Sequence, residues 1–253
     1  MIQLKNAQEL AKMRRACQIS AEALKLAGRS IEAGMTTADL DKIIYDYIKR
    51  HGARPNFKGL YGFPGTACIS INDEVIHGIP SHSRQIRPGD IVSIDTGAAI
   101  NGFNGDNACT FPCGKVDIEA QRLMDVTKES LHRGIAAAVA GNRVGDIGHA
   151  VQSYVEENGF SVVRSFVGHG VGKELHEDPE VPNYGHAGHG VRLVNGMTIA
   201  IEPMVNQKHH SVKTLSDGWT VVTADGGLAA HFEHSVAILP GGPEILPIGW
   251  EEP

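Results

Sequence analysis

A single offset organises most of this 253-residue chain. Ala33, Gly34, Asp39, Tyr47 and Gly52 recur as Ala140, Gly141, Asp146, Tyr154 and Gly159, each 107 residues on and without a gap. Leu40, Ile44 and Ile48, on one helical face, recur as Ile147, Val151 and Val155, so the apolar stripe repeats with its punctuation. The same offset carries Gly89 to Gly196 and Asp95 to Glu202. This pattern predicts a duplicated α-α-β-β unit. The expected halves, about 6–113 and 114–240 of a single domain spanning 1–253, would face each other across a pseudo-twofold axis. Asp95 and Glu202 would then meet near that axis, between two half-sheets, where clefts usually lie.

Local patterns supply the elements. Asn6 and Glu9 form a capping-box start for a helix to about Gly28, with Leu10, Met13, Cys17, Leu24, Ala27 and Ile31 on one face. A second helix starts at Thr36 or Thr37 and stops at Gly52. Further helices are expected over Asp117–Ala140 and Val144–Asn158, and strands over Ala67–Ile71, Met197–Ile201 and Leu228–Val236. Ile91, Val92 and Ile94 open a strand that reaches Asn101-Gly102, a strong hairpin-turn signal. With that turn, Asp95 lies opposite Ala108 and Asp106 opposite Gly97. Side chains alternate with period two, so both carboxylates project from one face, a diagonal step apart. Two like charges among apolar neighbours imply either a cation between them or a solvated edge.

The other acids narrow that choice. Glu202 ends an apolar strand before Pro203, and Glu233 sits inside another strand-like run, where unpaired Glu is rare. His169 lies in Gly168-His169-Gly170, where the glycines leave the imidazole open. Asp95, Asp106, His169, Glu202 and Glu233 together suit two borderline-hard divalent ions. His186, His189, His209 and His210 read as loop or surface histidines. The run Gly168–Lys173 lacks both Walker spacing and the third glycine of a dinucleotide loop. Cys17, Cys68, Cys109 and Cys113 form no CxxC pair and read as reduced structural thiols. A net charge of −6 with no Lys/Arg run longer than two argues against a nucleic-acid partner. No stretch has the ~20 apolar residues of a membrane span and the N-terminus has no signal core, so a cytoplasmic location is expected.

In order along the chain, several motifs resemble those of the type I methionine aminopeptidases. They are Ile69–Asn72 through His77–Pro80, Ile94-Asp95, Gly105-Asp106, Gly168–Gly172, His176–Pro179, Ile201–Pro203, Asp217–Thr220 and Phe232–His234. The short length is similar to the bacterial form. The resemblance implies an α+β pita-bread (creatinase-like) fold: two pseudo-twofold α-α-β-β halves, a central antiparallel sheet and outer helices. It also implies removal of initiator methionine from nascent chains and peptides with a small second residue, through attack of a metal-bridged water on the scissile carbonyl. By position, Asp95 would chelate one of two divalent ions (Co, Mn, Fe, Zn or Ni), Asp106 and Glu233 would bridge both, and His169 and Glu202 would complete the second site. Glu202 would also shuttle protons, His176 would stabilise the oxyanion, and His77 would face the leaving-group nitrogen. Phe57, Leu60, Phe63, Cys68, Leu175 and Trp219 would line the methionine pocket. Implied partners are peptide N-termini and a transient ribosome contact, with a monomer as the expected state. An Xaa-Pro aminopeptidase, or a binding protein that has lost catalysis, is the alternative on this fold. Four positions depart from the family: Leu60 and Leu175 replace common aromatics, Asn104 replaces a common His, and His231 is unusual beside Glu233. Losing two aromatics would loosen the pocket and weaken selectivity for methionine.

Overall fold

The computed structural model describes residues 1–247; the last six residues of the expected domain, 248–253, lie outside the described residues. Helix α1 (Ala7–Arg29) starts where the Asn6 side chain accepts from the Gln8 and Glu9 amides, and Glu9 returns the bond to the Asn6 amide at 3.1 Å. Helix α2 (Thr37–Arg50) is capped likewise by Thr36 and Asp39. Five strands follow: β1 (Arg54–Pro55), β2 (Ala67–Ile71), β3 (Glu74–Ile76), β4 (Ile91–Ile100) and β5 (Phe103–Pro112). Asn101 and Gly102 both have positive φ, 55° and 78°, so the β4–β5 turn matches strand twist and sets the register. Asp95 pairs with Ala108 and Gly97 with Asp106, as the turn signal predicts.

Helices α3 (Ile118–Ala137) and α4 (Val144–Glu157) open the second half. Helix α3 stops three residues short of the expected Ala140, because Ala138 leaves helical geometry at ψ 53°. Ten strands follow among the described residues: β6 (Ser161–Val162), β7 (Gly168–Gly170), β8 (Glu177–Val181), β9 (Thr198–Ile201), β10 (Met204–Asn206), β11 (Val212–Thr214), β12 (Val221–Thr223), β13 (Ala229–His231), β14 (Glu233–Leu239) and β15 (Gly242–Ile245). The expected Leu228–Val236 strand is two strands, broken at Phe232. Strand β13 pairs with β10 in a small sheet, whereas β14 enters the main one.

The main sheet has nine strands in the order β1-β4-β5-β14-β9-β7-β8, with β2 beside β4 and β15 beside β14; every pairing is antiparallel. Helix α1 packs on β4 and β5, and α3 on β9, β10, β13 and β14. One apolar core joins the layers, including Leu24 and Ile44 from the first helix pair, Ile94 from β4, Leu123 and Val151 from the second pair, and Ile199 and Val236 from the sheet. The repeat extends to single hydrogen bonds. Gly34 donates to Ile86 O at 2.8 Å and Gly141 to Leu193 O at 2.9 Å; isolated bridges join Thr36 to Gln85 and Arg143 to Arg192. Gly34 and Gly141 have φ of 94° and 102°, a region that costs other residues strain, so the same glycine stands at both points. The architecture is α+β: two α-α-β-β halves share a central antiparallel sheet.

Candidate metal centre

Four neighbouring strands of the sheet bring the acids together. Asp95 lies mid-β4 between Cys68 of β2 and Ala108 of β5, and Glu233, first in β14, pairs with Ala108 from the other side. Asp106 is opposite Gly97 on the same hairpin and is 3% exposed; Glu233 is 2% exposed. Glu202 follows β9, where Pro203 ends the pairing.

His169 enters from β7, between β9 and β8. A Cβ at Gly168 would stand 2.3 Å from Ala200 O, and one at Gly170 2.2 Å from Asp178 O. The flanking glycines therefore let the backbone fit between β9 and β8, rather than merely leaving the imidazole open. His169 Nδ1 is 2.8 Å from Gly170 O, which turns Nε2 towards the acids. Nε2 is 3.6 Å from Glu202 Oε1 and 3.7 Å from Asp106 Oδ2. Ligand atoms of Asp106, His169 and Glu233 all lie within 4.8 Å of one another.

Electrostatics show what this set suits. Burial pushes the Asp106 carboxyl up to about 7. Asp95, Glu202 and Glu233 are held well above the carboxylate range, first by burial and then by repulsion from Asp106 and from each other. Burial lowers His169 to about 4, so the imidazole is neutral and free to act as a ligand. Asp95 Oδ1, Asp106 Oδ1 and Glu233 Oε1 are buried without a hydrogen-bond partner. Orphaned acceptors crowded around a neutral imidazole are unfavourable by themselves and favourable around a divalent cation. The donor set fits such an ion, with oxygen and one nitrogen as in borderline-hard sites.

The acids form one wall of a cleft of about 550 Å³. Its apolar wall is a cluster of Phe57, Phe63, Cys68 and Leu175, with Leu60, Ile79 and Trp219 against it. All six residues expected of a side-chain pocket are therefore in one place, and Ile79 is an addition. Phe63 meets Trp219 edge to face, ring centroids 5.1 Å apart. His77 lines the cleft with φ 59°, edge-on to Phe166 at 5.6 Å, and burial lowers its pKa to about 4. His176 is at the mouth, its ring 4.5 Å from that of His169, and partial desolvation lowers its pKa. Tyr61 and Phe166 escape sequence reasoning. Tyr61, at φ 50° between Gly59 and Gly62, stacks on His176 at 6.1 Å, and only the two glycines hinted at so tight a loop.

Two of the departures acquire surroundings. Asn104 is buried, and its Nδ2 donates to Gly172 O at 3.0 Å and Lys173 O at 2.9 Å. His231 is 1% exposed; its Nε2 has no hydrogen-bond partner and lies 3.6 Å from Glu202 Oε2. The four cysteines are buried thiols outside any disulfide among the described residues, His186, His189 and His209 are exposed, and His210 is half-buried. Among the described residues no helix is long and apolar enough to cross a membrane.

Comparison with known proteins places the chain among metal-dependent peptidases. A family model for metallopeptidase family M24 matches residues 11–240. The methionine aminopeptidase of Clostridium perfringens is 56% identical over 246 residues, covering 97% of this chain and 98% of that protein. Methionine aminopeptidase 1 of Bacillus subtilis is 50% identical, covering 97% and 99%. The crystal structure of the Thermotoga maritima methionine aminopeptidase superposes with a TM-score of 0.96 at 44% identity, covering 98% of this chain and 99% of that one. A prolidase from Pyrococcus furiosus has a TM-score of 0.80 at 23% identity, covering 98% of this chain and 66% of that one, and shares the fold alone.

Proposed function

The chain belongs to metallopeptidase family M24, and from that premise we propose that it is a methionine aminopeptidase, removing the N-terminal methionine of peptides and nascent chains whose second residue is small. The observation that carries this reading is the junction of two walls in one cleft: buried acids with a neutral imidazole on one side, and the Phe57–Trp219 apolar cluster on the other. An unbranched thioether fits such a pocket.

Asp95, Asp106, His169, Glu202 and Glu233 would hold two divalent cations. Bound there, the ions supply a Lewis acid and acidify a water to near neutrality. The protein's own groups do the rest. Glu202, at the edge of the cluster beside His169, would take a proton from the nucleophile and pass it to the leaving amine. His176 stands at the cleft mouth beside His169, where its N–H would donate to the oxyanion. His77, which is neutral, faces the departing nitrogen. The aromatic wall excludes water from the scissile bond. We expect the protein to act as a cytoplasmic monomer that meets nascent chains at the ribosome.

Release of the first residue from Met-Ala-Ser, Leu-Ala-Ser and Met-Pro-Ser by chelator-treated protein, with and without added Mn or Co, tests this. Metal-dependent release of Met is expected. No release with any metal overturns the reading, and preference for the Pro peptide moves it to the Xaa-Pro peptidases.

A further inference from the structure

A buried ion pair lies behind the turn that carries His176, and the chemistry above does not use it. Lys5, in the segment before α1, is 6% exposed, and its Nζ donates to Glu177 Oε2. The two side chains are 3% and 5% exposed. Lys5 is itself held: its amide donates to Gly196 O at 2.7 Å, and Nζ also donates to Gln3 O at 3.0 Å. Glu177 uses its other oxygen on the turn, where Oε1 accepts from the Glu174 amide at 3.2 Å. Gly172 makes room for the pair, since a Cβ there would stand 2.5 Å from Lys5 Cε and 2.6 Å from Glu177 Oε1. The Gly172 amide closes the turn onto Glu174 O at 3.0 Å. From the far side, Asn104 clamps the carbonyls of Gly172 and Lys173. Two sequence features thus have one explanation: the last glycine of Gly168–Gly172 and the Asn at position 104.

We propose that Lys5 and Glu177 are positioning residues for His176. They hold the 172–177 turn so that Leu175 closes the apolar pocket and the His176 ring stands beside His169. Lys5 acts at a distance, through Glu177 and the turn, and touches neither substrate nor metal. A buried charge left without its partner must find water or a proton. Removing Lys5 therefore forces Glu177 to move, and the turn with it. Making both positions neutral, by Lys5→Met together with Glu177→Gln, removes that force and keeps an acceptor for the Glu174 amide.

The proposal rests on the aminopeptidase reading, so its test has one readout that does not depend on turnover. Lys5→Met, the double variant Lys5→Met/Glu177→Gln and wild type are compared in the Mn-loaded enzyme. Amide exchange of residues 173–177 is expected to speed up about tenfold in Lys5→Met, with α1 unchanged. In the same variant kcat for Met-Ala-Ser should fall about tenfold while calorimetry shows Mn binding as in wild type, and the double variant should recover most of both losses. Exchange at 173–177 equal to wild type in Lys5→Met overturns the proposal. So does exchange that rises equally across the chain, which would make the pair a general stabiliser. Wild-type protein that releases no Met would remove the aminopeptidase reading, while the exchange comparison would still decide whether Lys5 orders the turn.

Discussion

Chelator-treated protein should lose stability as pH rises through about 7, and Asp106→Asn should restore it. Asp106 moves from an ordinary 3.8 to about 7 on folding, a difference of about three units. At about 1.4 kcal/mol per unit, ionising it in the folded chain costs about 4 kcal/mol. Its folded pKa is raised, so between 3.8 and about 7 the folded chain keeps a proton that the unfolded chain has lost. The stability it lends is full below that window and is lost as pH rises through it. His77, His169 and His231 run the other way: burial lowers them to about 4, 4 and 3, so their stability is present above 6.5 and lost on acidification. The opposing slopes overlap below 6.5. Above it the histidines are neutral in both states and the acids alone remain, with Asp95, Glu202 and Glu233 still held well above their usual range. Asp106 is a cause of all three of those shifts, so the neutral isostere relaxes its neighbours as well as itself. Thermal unfolding in chelator from about pH 6.5 to about pH 8.5 should show a falling midpoint for wild type and a flatter one for Asp106→Asn. At about pH 8 the variant should melt higher by on the order of 10 °C. Added Mn should raise the wild-type midpoint and leave that of the variant unmoved. A wild-type midpoint that holds or rises over this range, or a variant no more stable at its upper end, would show that the four carboxylates do not repel as argued.

Gly170→Ala should cost about 2–4 kcal/mol in denaturant unfolding and abolish Mn binding, because its Cβ meets Asp178 O at 2.2 Å and β7 must shift, carrying His169 with it. Leu175→Phe narrows a cluster now walled by Phe57, Phe63 and Cys68; release of Leu from Leu-Ala-Ser should fall about tenfold relative to release of Met, and unchanged ratios would mean that position 175 does not set selectivity. His231→Leu removes the buried imidazole facing Glu202; kcat should drop at least about tenfold with KM little changed, and His231→Gln, which supplies an N–H there, should retain most activity. Equal rates for the Leu and wild-type proteins would leave His231 a packing residue.

Much of the architecture was legible in the residues because it is written in local rules. Asn6 and Glu9 cap α1, Asn101-Gly102 can turn only one way, and the period-two count from that turn places Asp95 and Asp106 on one face. The 107-residue offset is likewise visible without coordinates, since Gly34 and Gly141 stand where φ must be positive. Element ends were less legible: α3 stops early and the Leu228–Val236 run breaks at Phe232, because tertiary pairing with β10 on one side and β5 and β9 on the other competes for the same segment. Hairpin register pairs Asp95 with Asp106 and the repeat pairs Asp95 with Glu202, but residue type and resemblance alone add His169 and Glu233 to the donor set. Their approach to one another depends on β14 docking between β5 and β9, and the β14–β5 contact joins residues more than a hundred positions apart. Tyr61 over His176, His231 against Glu202 and Lys5 beneath Glu177 were decided in the same way. Capping, turn chirality and strand alternation act between neighbours and can be read from the chain. Which side chains share a buried space is decided only when distant strands exclude water together, and that is where the charges meet.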